Sequence, residues 1–257
     1  MTSQNEIISD LPTYFAEVGY KNPADAYNGP FQYARNTKLH CFDWLATQPR
    51  LQHAFNVVMG ISRMSNEQQW FENFPVEEKL GGGKKEDVLL VDVGGGFGHE
   101  LIAFQKQNQD LGGRLVVQDI PVVIDNIKDL PAGIEAMMHD FFISQPIKGA
   151  KAYYLANVVH DWPHKQALQI LGNIREAMDS ESILLISENT LPEENVPLDS
   201  ACADLVMMAN FSSLERTEEQ FRVLLEQAGF ELVKAWGSNN KSKEGGRRLL
   251  EVQRKEM

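Results

Sequence analysis

The feature that most constrains the fold is an apolar run, Val88–Val93, that leads directly into the glycine-rich segment Gly94–Gly98. Such a run predicts a buried strand, and the glycines after it let the backbone turn tightly and approach a ligand closely. The amphipathic stretch that begins at His99 predicts a helix whose free N-terminal amides lie at the loop. A strand, glycine loop and helix in this order indicate an α/β fold with a ligand at the loop, although a tight turn without a ligand has the same pattern.

From residue 87 onward, short apolar runs alternate with amphipathic stretches, which is typical of a mostly parallel sheet covered by helices. Strands are predicted near Val88–Val93, Arg114–Gln118, Glu135–Met138, Ala152–Leu155, Ile183–Ser187, Glu231–Trp236 and Leu249–Gln253. Helices are predicted near His99–Asn108, Val122–Ile127, His164–Met178 and Thr217–Ala228, the last with a capping box from Thr217 and Gln220. The segment 237–246 is too short for a helical crossover, so the last strand is predicted to run antiparallel to its neighbour.

Charge and composition exclude several classes of function. Lys plus Arg total 24 against 36 for Asp plus Glu, and a formal net charge of −12 disfavours nucleic acid as a partner. No apolar run approaches the roughly 18 residues of a membrane span, and the N-terminus lacks the pattern of a signal peptide. The two cysteines form no CxxC and the histidines no HExxH, so we expect no metal site. These features predict a soluble, cytoplasmic protein that does not bind membranes.

Acidic residues follow the second and third predicted strands. Asp119 lies at the distance from the glycine loop where an acid that binds a ribose belongs. Asp140 and Phe141 follow the third strand, and a carboxylate beside an aromatic ring suits an adenine base. Two structural alternatives remain open, namely that Asp119 caps a helix and that Phe141 and Phe142 belong to the core.

One histidine and two glutamates follow the later strands. His160 comes after the fourth predicted strand, Glu188 ends the fifth, and Glu215 precedes the helix from Thr217. Because ligands bind at the carboxyl edge of open α/β sheets, all three side chains can converge on one cavity. An imidazole accepts a proton near neutral pH, and a neighbouring carboxylate orients the ring and stabilises the imidazolium. The set suits deprotonation of a hydroxyl, although singly His160 can be structural, Glu188 a strand-end cap and Glu215 a solvated loop acid.

Five segments occur in the order found in S-adenosylmethionine-dependent O-methyltransferases of the caffeate/flavonoid type: Val91–Gly98, Gln118–Pro121, His139–Phe142, His160–Trp162 and Leu214–Thr217. From about Leu11 to its C-terminus the chain resembles this family, and most of all its branch in fungal secondary metabolism. The resemblance implies a Rossmann-like class I methyltransferase sheet of seven mostly parallel strands, with the last strand antiparallel and an N-terminal helical extension. Apolar residues at helical spacing over 7–75 and the change of pattern at Gly81–Lys85 predict a helical extension, residues 1–80, and a second domain, residues 81–257. The resemblance makes the extension the cover of the acceptor site and the second domain the S-adenosylmethionine-binding methyltransferase domain.

The resemblance also implies roles for individual residues. It assigns S-adenosyl-L-methionine, with S-adenosyl-L-homocysteine as product, to the cofactor-binding residues Asp92, Gly94, Gly95, Gly96, Gly98, Asp119, Ile120, Asp140 and Phe141. It makes His160 the general base, flanked by Glu188 and Glu215. It places Phe55 and Met59, from the family's FNxxM segment, and Trp162 at the acceptor, although core packing predicts the same apolar spacing on a helix.

The expected reaction is transfer of a methyl group to a hydroxyl of a small secondary metabolite. Relatives carry a dimerisation domain ahead of the equivalent of Leu11, so we expect a monomer or weak dimer, with a protein partner as a further option. Two alternatives remain open: an enzyme of the same fold that catalyses a rearrangement or elimination without methylation, and a non-catalytic partner subunit. The identity of the acceptor does not follow from the sequence.

Overall fold

The computed structural model describes residues 2–64, 69–237 and 246–255. These residues form ten α-helices: α1 (Thr2–Val18), α2 (Pro30–Arg35), α3 (Cys41–Ala46), α4 (Pro49–Met64), α5 (Val76–Leu80), α6 (His99–Gln107), α7 (Pro121–Ile124), α8 (His164–Arg175), α9 (Leu198–Phe211) and α10 (Glu218–Gln227). They also form eight strands: β1 (Val88–Val93), β2 (Arg114–Asp119), β3 (Ile134–Met138), β4 (Ala152–Ala156), β5 (Ile183–Leu191), β6 (Arg216–Thr217), β7 (Phe230–Trp236) and β8 (Gly246–Arg254). Short 3-10 turns lie at Trp70–Glu72 and Val159–Asp161.

All eight strands belong to one sheet, in the order β3-β2-β1-β4-β5-β8-β7, with β6 paired to β5. Strands β1 to β5 pair in parallel, whereas β8 runs antiparallel to both β5 and β7. The mostly parallel sheet and its reversed last strand are confirmed. The chain changes direction across the sheet between β1 and β4, and the carboxyl ends of the strands at such a point form the crevice where open α/β sheets bind ligands.

The strands at the centre of the sheet are buried along their length, which explains their continuous apolar sequences. Every residue of β4 is buried, and so are all residues of β1 after Val88. A parallel strand covered by helices on both faces has no solvent side and therefore shows no polar alternation. This is why these two strands were predicted with correct or nearly correct bounds.

The chain divides into two compact units. The first unit contains Met1–Gln68, His160–Gln166 and Val196–Glu215, and the second contains Gln69–Val159, Ala167–Asn195 and Arg216–Met257. The first unit is helical, and its core is formed by Ile7, Leu11, Phe31, Cys41, Leu45, Ala209 and Phe211. The second unit contains the sheet. Within the described ranges, no helix combines the length and apolarity that crossing a bilayer requires.

The unit boundary differs from the predicted domain boundary after residue 80. Trp70 stacks on Phe104 with ring centroids 5.4 Å apart and on Tyr154 with centroids 4.9 Å apart, both in the second unit. Phe71 and Leu80 are buried in the same core. The segment 69–80 therefore packs with the sheet, because its aromatic and aliphatic side chains fill space over β4 and α6.

Two elements differ from the predicted set. Helix α9 was missed, since its apolar residues are not confined to one stripe and residues 190–215 contain no clear start signal. The pair Arg216–Thr217 adds an eighth, two-residue strand that is too short for any periodicity. The predicted capping box is confirmed, with Gln220 N donating to Thr217 Oγ1 at 3.2 Å and Thr217 N donating to Gln220 Oε1 at 2.9 Å.

Candidate active site

The glycine loop after β1 is tied to the end of β2. The amides of Gly94 and Gly95 both donate to the carbonyl oxygen of Gln118, at 2.8 and 3.0 Å. Gly94, Gly96 and Gly98 have φ values of +74°, +61° and +76°, a region that side chains with a Cβ rarely adopt. The loop therefore needs glycine at these three positions to make its turn before α6.

Gly95 needs to be glycine for a different reason. A Cβ on Gly95 would lie 2.5 Å from Cγ and Oδ2 of Asp92 and 2.8 Å from Cγ2 of Val117. Asp92 is fully buried at the end of β1. The loop backbone thus lies directly against a buried carboxyl group.

Asp119, the last residue of β2, bonds to the glycine loop. Its Oδ2 accepts a hydrogen bond from Gly96 N at 2.8 Å, and its Oδ1 accepts one from Ile120 N at 2.8 Å. A carboxylate oxygen can accept more than one hydrogen bond, so these two backbone contacts do not by themselves exclude hydroxyl donors. The following residue, Ile120, is 42% exposed and offers an apolar surface beside this carboxylate.

Asp140 and Phe141 lie at the end of β3. The Asp140 side chain is exposed, and its Oδ1 accepts from Phe142 N at 2.9 Å. The Phe141 ring lies near the loop, with Cε1 3.5 Å from the position a Gly94 Cβ would take. Both phenylalanines, Phe141 and Phe142, are half-buried, so their rings do not belong to the fully buried core.

All of the predicted cofactor residues belong to the second unit and lie at the carboxyl ends of β1, β2 and β3.

His160 and Glu215 form a close pair within the first unit. The distance from His160 Nδ1 to Glu215 Oε1 is 3.0 Å, and the side chains are 17% and 4% exposed. A carboxylate is a hydrogen-bond acceptor, so the Glu215 contact favours the tautomer with the proton on Nδ1. Asp161 Oδ1 lies 3.5 Å from Nε2. Each ring nitrogen of His160 thus faces a carboxyl oxygen, and the shorter contact is the one at Nδ1.

Glu188, in the second unit, is fully buried and bonds to backbone amides. Its Oε1 accepts from Val158 N at 2.9 Å and from Val159 N at 2.8 Å. These two amides lie at the start of the 3-10 turn Val159–Asp161 and have no partner within that turn. The carboxylate therefore holds the backbone immediately before His160 in the chain, and its action on the imidazole ring stays a prediction.

Trp162 is buried in an aromatic cluster of the first unit. Its ring stacks on His40, with centroids 4.5 Å apart and an interplanar angle of 14°. His40 Nδ1 accepts from Phe42 N at 3.4 Å at the start of α3, and burial lowers the pKa of His40 to about 4. Phe55 packs edge-on against Phe42 at 5.9 Å. The Met59 side chain lies outside the described residues, and contact of Trp162, Phe55 and Met59 with an acceptor stays a prediction.

The part of the chain that the structure describes holds no cluster of three or more His, Cys, Asp or Glu residues that could bind a metal. His160 and His164 are four residues apart in sequence, but His160 lies in the 3-10 turn and His164 begins α8. The two residues therefore do not share one helix.

Two supporting residues were missed by sequence reasoning. Gln118 is fully buried and its carbonyl holds the glycine loop, while its side chain pairs with Gln145 through two hydrogen bonds of 2.9 and 2.8 Å. Asp204, in α9, accepts from Glu215 N at 2.9 Å. A glutamine inside an apolar strand is a detectable signal, since a buried amide needs partners. Asp204 gave no signal because its helix was not predicted.

Comparison with known proteins places the chain in a family. The O-methyltransferase domain matches residues 28–231. The chain is 39% identical over 250 residues to O-methyltransferase asqD of Emericella nidulans, covering 95% of this chain and 63% of that protein. It is 40% identical over 226 residues to the demethylsterigmatocystin 6-O-methyltransferase of Aspergillus parasiticus, covering 88% of this chain and 58% of that protein.

Solved structures agree with these relatives. A LepI complex with S-adenosylmethionine superposes with a TM-score of 0.89 at 34% identity, covering 97% of this chain and 64% of that one. OxaC in complex with S-adenosylhomocysteine and oxaline gives 0.83 at 30% identity, with coverage of 97% and 63%. The chain thus spans less than two thirds of the length of each of these four relatives. It belongs to the O-methyltransferase domain family.

Proposed function

We propose that this chain transfers a methyl group from S-adenosyl-L-methionine to a hydroxyl of a small secondary metabolite, with His160 as the general base. The observation that carries the proposal is the 3.0 Å contact between His160 Nδ1 and the buried Glu215 carboxylate. With the Nδ1 proton directed at Glu215, Nε2 would be the proton acceptor, and a proton acceptor at a fixed position is what activation of a hydroxyl requires.

The residues at the carboxyl edge of the sheet fit S-adenosylmethionine. The glycine loop admits close approach of a ligand to the backbone, and the buried carboxyl group of Asp92 lies against it. Asp119 offers a carboxylate at the loop to ribose hydroxyls, with Ile120 beside it, and Asp140 and Phe141 offer a carboxylate and a ring face to an adenine. This division assigns the methionyl end to Asp92 with Gly94, Gly95, Gly96 and Gly98.

The chemistry divides between the cofactor and the protein. S-adenosylmethionine supplies a strongly electrophilic methyl group on a positively charged sulfur. The protein then has to present an oxygen nucleophile, and His160 Nε2 takes the hydroxyl proton as the oxygen attacks. Glu215 stabilises the imidazolium that forms, because its carboxylate faces the proton on Nδ1. Glu188 holds the amides of Val158 and Val159, the two residues that precede His160 in the chain.

The relatives support both the cofactor and the substrate class. Solved neighbours contain S-adenosylmethionine or S-adenosylhomocysteine, and OxaC is also described with the small molecules meleagrin and oxaline. The similar proteins asqD, penC and the sterigmatocystin enzyme are O-methyltransferases of fungi. We therefore assign a small hydroxylated acceptor. A monomer or weak dimer, to be measured by light scattering at micromolar concentration, and a cytoplasmic location stay predictions.

One neighbour favours a second candidate function. A structure at 34% identity and TM-score 0.88 is described as a pericyclic reaction enzyme. A chain of this fold can therefore serve a rearrangement without methyl transfer. The paired His160 and Glu215 favour methyl transfer over a rearrangement, since a rearrangement requires no base to remove a hydroxyl proton, whereas an elimination without methylation would also use a base.

The test separates turnover from cofactor binding. His160→Gln keeps a polar side chain but removes the base, so methyl transfer should fall by about 10²- to 10⁴-fold. Affinity for S-adenosylhomocysteine, measured by calorimetry, should stay unchanged, because the predicted cofactor contacts lie on other residues. A higher pH should partly restore turnover of a phenolic acceptor. The matched control is His164→Gln, an exposed histidine at the start of α8, which should retain activity. Undiminished methylation by His160→Gln would mean that another group acts as the base or that the transfer needs no base.

A further inference from the structure

Glu215 lies in an irregular segment, so no helix or strand fixes its carboxylate. The segment Ser212–Glu215 joins the end of α9 to β6 and begins with Ser212 at φ +56°. The Glu215 side chain is 4% exposed, and among the described residues its Oε2 has no hydrogen-bond partner. Burying a carboxylate with only one oxygen, Oε1, facing the imidazole is unfavourable. The side chain alone therefore does not explain the position of Glu215, and its backbone must be held by other groups.

Two side chains of the first unit hold this part of the backbone. Asp204 Oδ1 accepts from Glu215 N at 2.9 Å. Ser213 Oγ donates to the carbonyl oxygen of His160. The Asp204 bond acts on the main chain at Glu215 itself, and the Ser213 bond acts on the main chain at His160.

Asp204 is an unexpected residue at its position. It lies inside α9, where aspartate is unfavourable because its side chain competes for backbone hydrogen bonds. It is half-buried, and burial together with the nearby Glu215 carboxylate raises the pKa of Asp204, while the bond from the Glu215 amide lowers it. A residue that is unfavourable both for its helix and because it lies near another carboxylate is typical of a functional site.

We propose that Asp204 is a positioning residue: by holding the Glu215 amide it keeps Oε1 at His160 Nδ1, and so keeps Nε2 ready to accept the proton of the substrate hydroxyl. The inference rests on the proposed function, since Asp204 has this role only if His160 is the general base. Asp204 acts through Glu215 and contacts neither substrate nor cofactor in this assignment.

Three substitutions separate position from charge. Asp204→Ala removes the acceptor, and Asp204→Glu keeps the charge but displaces the oxygen by one methylene. Both should lower kcat for methyl transfer by about 10- to 100-fold, the cost of a misplaced catalytic group. Asp204→Asn keeps an acceptor oxygen at the same place and should stay within about threefold of the wild-type kcat. The opposite order, with Glu active and Asn inactive, would show that the charge matters and would overturn the proposal.

The readout distinguishes positioning from folding. In the Ala and Glu variants, the KM for the acceptor and the affinity for S-adenosylhomocysteine should change by less than about threefold while kcat falls. The matched control is Asp199→Ala, an exposed aspartate in the first turn of the same helix, which should keep wild-type kcat. If Asp204→Ala does not fold, the comparison of Glu with Asn still decides, because both conserve most of the side chain.

A double substitution tests the route of action. In a Glu215→Gln background, Asp204→Ala should lower kcat by less than about threefold, since the carboxylate it positions is already gone. Full additivity would mean that Asp204 acts independently of Glu215 and would overturn the inference. Failure of the proposed function is distinguishable: it appears as an active His160→Gln variant. An inactive His160→Gln together with a fully active Asp204→Ala rejects only the role of Asp204.

Discussion

At the residue scale, steric demand at the glycine loop determines what the loop can bind. Gly95 has ordinary backbone angles, so its requirement for glycine arises from the space above Asp92 and Val117 and not from strain. Gly94, by contrast, combines a positive φ with a Cβ position 3.0 Å from Val158 Cγ2. Gly95 is thus required only because a Cβ would have no space. Gly94 is required both by its backbone angle and by the nearby Val158 side chain.

Gly95→Ala should therefore push the loop away from Asp92. We expect a loss of stability of about 1 to 3 kcal/mol, typical of overpacking, and at least about a tenfold loss of S-adenosylhomocysteine affinity if about 1.4 kcal/mol of the loop's contacts are lost. Urea denaturation and calorimetry measure the two effects. The control is Gly172→Ala in α8, where a new Cβ meets nothing within 4 Å and a helix gains up to about 1 kcal/mol. Equal behaviour of the two variants would contradict the steric account.

At the element scale, α3 begins on a histidine where Ser, Thr, Asp or Asn would be usual. His40 Nδ1 accepts from Phe42 N, while its ring stacks on Trp162 and packs near Phe211 at 5.8 Å. A capping acceptor has to be unprotonated, and an aromatic surrounding excludes water from the ring. One side chain thus joins the start of α3 to the segment that carries His160.

His40 makes the stability of the chain depend on pH. Its pKa is lowered by burial from 6.5 to about 4, so the folded state prefers the neutral ring. The stabilisation is complete above pH 6.5 and is lost progressively as the pH falls towards 4, because the unfolded chain then binds a proton that the folded chain does not. Between pH 7 and pH 5 the free energy of unfolding should fall by about 2 kcal/mol from this residue.

Urea denaturation at the two pH values measures this loss. His40→Phe keeps an aromatic ring beside Trp162 but cannot titrate, so the difference between pH 7 and pH 5 should shrink by about 2 kcal/mol. Comparing the two pH values within the same variant removes the loss of stability that comes from losing the helix cap, because that loss does not depend on pH. His53→Gln, at an exposed histidine of α4, should leave the pH dependence as in the wild type. An unchanged pH dependence in His40→Phe would be evidence against a neutral buried ring.

At the scale of the whole molecule, the described residues include an apolar core in each unit, and the chain passes between the units several times. The segment 69–80 belongs to the core under the sheet, although its helical character predicted membership of the N-terminal extension. Trp70 is the clearest case, since it is buried against Phe104 and Tyr154. The stability of the cofactor-binding unit should therefore depend on residues that precede its first strand.

Trp70→Ala in the full chain should lower the free energy of unfolding by about 3 to 5 kcal/mol, the cost of a large cavity. The loss of S-adenosylhomocysteine binding during urea denaturation should move to lower urea together with the loss of structure. Trp44→Ala, at a half-buried tryptophan of the first unit, is the comparison and should cost less. A Trp70→Ala variant as stable as the wild type would place the segment outside the sheet's core.

The sequence by itself determined the features whose causes are local. The strand β1 and the loop Gly94–Gly98 follow from an apolar run and from backbone angles that only glycine adopts easily. The helix α10 starts at a capping box within four residues and ends before Gly229, whose φ is +80°. The reversed last strand follows from the length of one connection. Each of these rests on interactions between residues that are close in sequence, which is why a pattern could predict them.

Only the tertiary structure decided the features that depend on distant partners. Glu188 bonds to amides 29 and 30 residues away, and Asp204 holds Glu215 from a helix with no clear sequence signal. The packing of Trp70 on Tyr154 likewise joins segments separated by three strands. The sequence names the residue types at such sites, but which acid faces the imidazole and which faces a backbone amide depends on the geometry of the folded chain. That geometry results from packing between residues distant in sequence within each unit and not from any local preference.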